Sequence, residues 1–251
     1  MKKNPRCLAA LVALLAGCQA HAPCALRGSA EVVLDEGAPN APGSRRLVLW
    51  EVDNDPVLWT TRLPASPTLA TFQDEARRRI GDVSPRAILE RAIEQPTSER
   101  ETGLNRMVLG EVDRRVVPIR CFDAIFLARQ TERMDMVRTP TEVLAYVFRS
   151  PDGRRLRIVE YTVNAPGIGR VGPVFEQVDE IAAGGGWVPW TVFHNHNFFF
   201  EGGDWKGGSV APSAPDTDLM VILRDERGLG EAWITNGFST LLLPTAALTS
   251  N

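Results

Sequence analysis

Basic excess is the first thing missing from this chain. Its 28 lysines and arginines stand against 31 aspartates and glutamates, a formal charge of −3. With no basic cluster to overrule that balance, a general nucleic-acid binder is excluded. Long apolar runs are missing too. Leu8 to Leu15 is the longest candidate near the start, and it is too short to span a bilayer as a helix. Low-complexity tracts and internal repeats are absent. The four cysteines show no spacing that suggests a zinc–cysteine site. Histidine is scarce: there are three, and two of them, His194 and His196, sit two residues apart.

What is present begins with a targeting segment. Lys2, Lys3 and Arg6 form a basic stretch, followed by the apolar Leu8–Leu15. The run ends in Leu15-Ala16-Gly17-Cys18, which resembles a bacterial lipobox. That resemblance implies a signal peptide over 1–18 and a lipid on Cys18, which would become the first mature residue and anchor the protein to a membrane. Gln19, rather than Asp, after the cysteine implies the outer membrane of the cell envelope. An ordinary cleaved signal peptide is the alternative. Cys24 and Cys121 are then left in an oxidising compartment. A disulfide between them is permitted there, and a pair of free thiols is equally compatible with the sequence.

Residues 19–45 are rich in Ala, Pro and Gly and read as a flexible tether, with room for a short strand at Val32-Val33-Leu34. An N-terminal extension follows over 46–115. Arg46–Glu51 and Val57–Leu63 read as strands of a hairpin around Asp53-Asn54-Asp55-Pro56. Leu69–Ile80 and Arg86–Glu94 read as helices, the second opened by Ser84-Pro85. Met107–Val112 and Val116–Ile119 read as strands, and Cys121–Arg133 as a helix with an apolar stripe. Thr139–Phe148 and Arg155–Val163 form a hairpin around Ser150-Pro151-Asp152-Gly153. An acidic helix or loop spans Phe175–Ile181. Late strands are expected at Asp218–Arg224, Ala232–Thr235 and Ser239–Leu243.

His194 and His196 end the apolar run that starts at Trp187. In extended chain, residues two apart share a face, so both imidazoles can reach one metal ion. Asp216 can supply a third ligand and leave one position of a tetrahedral ion open. Glu142 on an upstream strand, His-x-His, and Ser213-Ala-Pro-Asp216 occur in that order. This set resembles the JAB/MPN/JAMM metalloprotease family, over roughly residues 116–245. The resemblance implies an α+β fold: an MPN-like (cytidine-deaminase-like) mixed β-sheet flanked by helices, with an N-terminal α/β extension. It implies Zn²⁺ held by His194, His196 and Asp216, Glu142 as general base, and Ser213 as a donor to the oxyanion.

The sequence departs from that family in two ways. Sixteen residues, 197–212, separate His196 from Ser213 where about seven are usual, and Asn197 stands where the family has Pro. The insert is aromatic and glycine-rich, and reads either as a lid over the metal or as a structural loop. Asp204 and Glu201 within it, and Asp218 beyond it, are alternative ligands. Glu160 is an alternative base. The resulting expectation is a membrane-anchored zinc peptidase or isopeptidase acting on a peptide or protein. A non-catalytic MPN-like binding module of the envelope is the runner-up, and a metal-carrying lipoprotein ranks last.

Overall fold

The computed structural model describes residues 23–95, 98–165, 167 and 171–248. The expected signal segment 1–18 with Cys18, and also His21, lie outside the described residues.

The chain enters a sheet at once. Strand β1 (Gly28–Glu36) pairs antiparallel with β2 (Arg45–Asp53). Within the stretch read as a tether, the strand allowed at Val32-Val33-Leu34 forms and extends to both sides of it. A stretch of this composition buries little, and β1 leaves almost every side chain exposed. An edge strand needs no buried face, because its backbone hydrogen bonds to one neighbour hold it. The hairpin partner expected for β2 does not form. Asp55 instead accepts from the Val57 amide at 2.9 Å and caps a single 3₁₀ turn, Pro56–Trp59. Asp followed by Pro is a helix-start signal, and here it overrides the apolar Val57-Leu58.

Three helices follow: α1 (Pro67–Ile80), α2 (Pro85–Glu94) and α3 (Glu99–Gly110). Each opens on a serine whose hydroxyl accepts from the amide three residues on: Ser66, Ser84 and Ser98. On α1 the buried Leu69, Phe72, Ala76 and Ile80 keep helical spacing. The strand expected at Met107–Val112 is instead the last turn of α3 and the start of α4 (Val112–Arg115). The overlooked signal was Ser98-x-x-Glu101, a helix start that carries the apolar run along with it.

Short β3 (Val116–Pro118) leads into α5 (Cys121–Arg133), then the hairpin β4 (Glu142–Arg149) and β5 (Arg155–Val163). Helix α6 (Gly172–Ala183) precedes β6 (Val188–Asn195). The insert forms its own hairpin, β7 (Phe198–Glu201) and β8 (Asp204–Gly207). Helix α7 (Ala214–Arg227) then leads to β9 (Glu231–Thr235) and β10 (Ser239–Pro244). Helix α7 replaces the strand expected at Asp218–Arg224. Ser213 caps it, Pro215 sits in its first turn and Gly228 closes it at φ 68°.

The architecture is α+β. An eight-stranded mixed sheet runs in the order β1-β2-β5-β4-β6-β9-β10-β3, with helices against it. From the region 46–115, β2 joins this sheet between β1 and β5. Neighbours are antiparallel except β6 and β9, which are parallel. A parallel pair needs a crossover, and the chain makes it through the insert and α7.

One sheet face packs Leu144, Val192 and Ile234 with Val108, Val178 and Met220 of α3, α6 and α7. The other packs Val143, Ala145, Phe193 and Trp233 with Phe122 and Phe126 of α5. A disulfide joins Cys24 to Cys121, 97 residues apart, at the head of α5. On the α5 face, Glu160 is 2% exposed. It takes Arg129 Nε at 2.8 Å and Trp50 Nε1 at 2.7 Å, so its charge is paired.

Candidate metal centre

The centre forms where β6 ends and α7 begins. His194 lies opposite Leu144 of β4 and Ile234 of β9, on the face that α7 covers. The His196 amide donates to Thr235 O at 2.8 Å, which extends the ladder one residue beyond the strand. Both imidazoles therefore leave the sheet on one side, as period-two geometry requires. His194 is almost wholly buried, and His196 keeps about a fifth of its side chain exposed, at 19%.

Asp216 comes from the first turn of α7. A reciprocal cap holds it: the Asp216 amide donates to Ser213 Oγ, while the Ser213 amide and hydroxyl donate to Asp216 Oδ2 at 2.8 and 2.6 Å. That oxygen also faces His196 Nε2 at 3.0 Å and His194 Nε2 at 3.4 Å. The two Nε2 atoms are 3.1 Å apart. Three ligand atoms thus form a nearly equilateral triangle. A tetrahedral ion with bonds of about 2.0–2.1 Å separates its ligands by about 3.3 Å, close to these three edges. The group His194, His196 and Asp216 could hold a metal ion.

The tautomer argues the same way. His196 Nδ1 lies 2.7 Å from Ser209 O, a carbonyl that can only accept, so Nδ1 carries a proton. In neutral His196, Nε2 is then a bare lone pair turned toward a carboxylate. Acceptor facing acceptor is unfavourable unless a cation or a second proton stands between them. Burial alone would lower the His196 pKa. The hydrogen bond and charge of Asp216, the Ser209 carbonyl and the charge of Glu142 raise it overall. Burial would likewise raise Asp216, but the charges and hydrogen bonds of His194 and His196 hold it far below the usual carboxylate range.

These shifts fix a pH dependence. His196 is raised, so its contact stabilises the metal-free fold fully below the ordinary imidazole value of 6.5 and is lost as pH rises through the raised one. Asp216 is lowered, so its share is present above 3.8 and lost as pH falls. The metal-free pair is therefore strongest between those two values. A metal must displace the imidazole proton, so it gains as pH rises. The increase in melting temperature on adding zinc is expected to be larger at pH 8 than at pH 6. An increase independent of pH would contradict the assignment.

Glu142 begins β4. Continuing the register from Leu144–His194 sets it across from His196, on the same face, and its charge acts on that imidazole. The neighbours of Glu142 are clamped in place. Asn195 Oδ1 accepts from the Val143 amide at 2.8 Å, and Asn195 Nδ2 donates to Thr141 O at 3.1 Å. Asn197 Nδ2 donates to the same carbonyl at 2.8 Å. Both amides are buried. The alternation His-Asn-His-Asn thus sends ring nitrogens to one side of the strand end and amides to the other. Sequence reasoning passed over these asparagines and the Ser209 carbonyl, although strand parity alone separates the two sets.

Ser213, expected to serve an oxyanion, is turned to Asp216. Its hydroxyl proton is given to Asp216 Oδ2. Reaching an oxyanion would require it to release Asp216. Ser213→Ala is expected to cost about 1 kcal/mol of stability through the lost cap, and to weaken metal binding about tenfold. Chemical denaturation and metal competition read the two effects separately.

The alternative residues are placed elsewhere. Asp204 pairs with Arg91, and Asp218 with Arg100. Glu201 is exposed at the hairpin end, paired across from Asp204. Glu160 lies opposite Ala145, on the α5 face. The insert proves to be a packed loop. Phe198 and Trp205 bury against Ile80 and Ile88 of α1 and α2. Arg79 sits 4.9 Å over Phe200, and Arg91 4.4 Å over Trp205. Gly208, at φ 68°, passes so close to the Phe198 ring that a Cβ would overlap it. This packing sets Ser209 against His196, with Ser209 Oγ held by Asn105 at 2.6 Å. No protein-family model, curated protein or solved structure matches this chain.

Proposed function

We propose that this chain is a zinc-dependent, JAMM-like peptidase or isopeptidase on an MPN-like fold, anchored in the cell envelope through Cys18. What supports the reading is the convergence of His194, His196 and Asp216 within 4.8 Å, with a strand-borne carboxylate acting on the same imidazole. Bound Zn²⁺ would supply a Lewis acid and a water whose pKa lies near 7.

The chain's own residues do the rest. Glu142 would serve as the general base for that water and as the proton donor to the leaving amine. Asn195 and Asn197 fix the backbone on either side of Glu142. Ser209 O keeps the Nε2 of His196 free to ligate. Ser213 holds Asp216 in register. The expected substrate is a peptide or protein amide.

The test uses zinc-loaded protein and a mixture of peptide and isopeptide substrates. Cleavage is expected, and it should be lost on chelation and in Glu142→Gln while that variant still binds zinc. Cleavage indifferent to Glu142→Gln would overturn the mechanism. Zinc binding without any cleavage would leave the non-catalytic MPN-like module.

A further inference from the structure

We infer that the end of the sheet around Trp59, Trp190 and Trp233 lies on the membrane that holds the lipid of Cys18. This rests on the lipobox reading of Leu15-Ala16-Gly17-Cys18 and is independent of the metal centre.

The disulfide pins Cys24 to the first residue of α5. Only residues 19–23 separate Cys24 from Cys18. Fully extended, that leash reaches about 20 Å. A domain of this length is roughly 40 Å or more across. The leash is too short for the far side of the domain to meet the bilayer, so the face around Cys24 is the one turned to it.

That face suits a headgroup layer. Cys24 packs in the same cluster as Phe122 and Trp233, and the Cys121 amide bonds to Thr60 O, beside Trp59. There a cleft of about 530 Å³ opens, lined by Trp59, Trp190, Trp233, Arg149 and Leu242 among others. The three indoles touch one another, with centroids 5.0 to 5.5 Å apart. Trp59 and Trp190 are half-buried. Tryptophan settles at the headgroup level because its ring is apolar and its N–H polar.

Exposed Arg149 stands 4.9 Å over Trp190, where its guanidinium can meet lipid phosphate. Glu231, on the same cleft, accepts from Trp233 Nε1 at 2.9 Å. Leu63, just beyond the cleft residue Thr61, is 41% exposed. No helix among the described residues is long and apolar enough to cross a membrane, so contact of this face is at the surface.

The same geometry orients the metal centre. His194 lies four residues past Trp190, about 13 Å along β6, and a bulge at Trp190 inverts the strand's alternation and puts the two on opposite sheet faces. It opens away from the bilayer, toward soluble substrate.

The experiment uses the full-length acylated protein in vesicles of phosphatidylethanolamine and phosphatidylglycerol, some with brominated acyl chains that quench nearby tryptophan. Emission is expected to be quenched. Trp59→Phe with Trp190→Phe should remove most of the quenching, and Trp205→Phe should leave it. Arg149→Glu, at an exposed position that spares the core, should also reduce it. The mass of the N-terminal peptide is read on the same preparation. An unacylated Cys18 overturns the anchor reading itself. An acylated protein whose emission ignores the brominated lipid, or whose quenching survives both the double tryptophan substitution and Arg149→Glu, overturns the docking.

Discussion

Replacing His194 and His196 together by alanine is expected to take zinc from near one ion per chain to background. The two imidazoles would be two of three ligands, and Asp216 alone would leave one carboxylate, whose Oδ2 Ser213 already engages twice. Changes to residues that merely support ligands cost about 10- to 100-fold in affinity, so removing both nitrogen ligands should cost well beyond that.

The loss is readable as stability as well as stoichiometry. At a free zinc concentration 100 times the Kd, the unsubstituted protein gains about 2.7 kcal/mol, whereas the double variant should gain nothing. The fold itself should survive, because the cap of α7 is made by Ser213 and Asp216 and not by the histidines. Asp204→Ala serves as the control and should keep its zinc, since that carboxylate is tied to Arg91. Elemental analysis of the three proteins decides the matter. Undiminished metal in the double variant, or loss of metal in Asp204→Ala, would sink the ligand set.

The second large effect concerns the disulfide. Cys24→Ala with Cys121→Ala should destabilise the protein by about 2–5 kcal/mol. The bridge closes a loop across 97 residues of sequence separation. In the chain-entropy account a loop of about 100 residues is worth about 4.7 kcal/mol, and measured values fall at or below such figures. For a chain of this length, each kcal/mol moves the melting temperature by about 2–4 °C, so a drop of roughly 10 °C is expected. Both sulfurs sit in the core, with Cys121 fully buried, so reduction should be slow until the protein opens. Thiol counting on the unfolded, unreduced protein is the direct check. Two reactive thiols from Cys24 and Cys121 would contradict the bridge.

Much of the fold was legible where local chemistry is decisive. Ser84-Pro85 at the start of α2, the apolar stripe on α5 and the turn Ser150–Gly153 all act over a few residues, and the structure matches them. The runs that misled were short and continuously apolar. Met107-Val108-Leu109 and Met220-Val221-Ile222-Leu223 carry no clear period, and in both cases an upstream serine cap decided for helix. Strand β1 exceeds the short strand legible at Val32-Val33-Leu34 for the opposite reason, since it holds by backbone pairing rather than by burial.

The same division runs through the metal centre. The sequence by itself determined which residues could ligate. Two histidines at strand spacing and the intact Ser-x-x-Asp are properties of adjacent backbone. It also determined that the imidazoles share a face, because parity along a strand is local. Only the tertiary structure decided that Asp216, and not Asp204, meets them. That choice depends on α7 crossing from β6 to the parallel β9, and on the insert being packed away against α1 and α2. It likewise paired Cys24 with Cys121 and gave the Ser213 hydroxyl to Asp216. These contacts join residues brought together by packing, and the free energy that selects among them comes from surfaces distant in the chain.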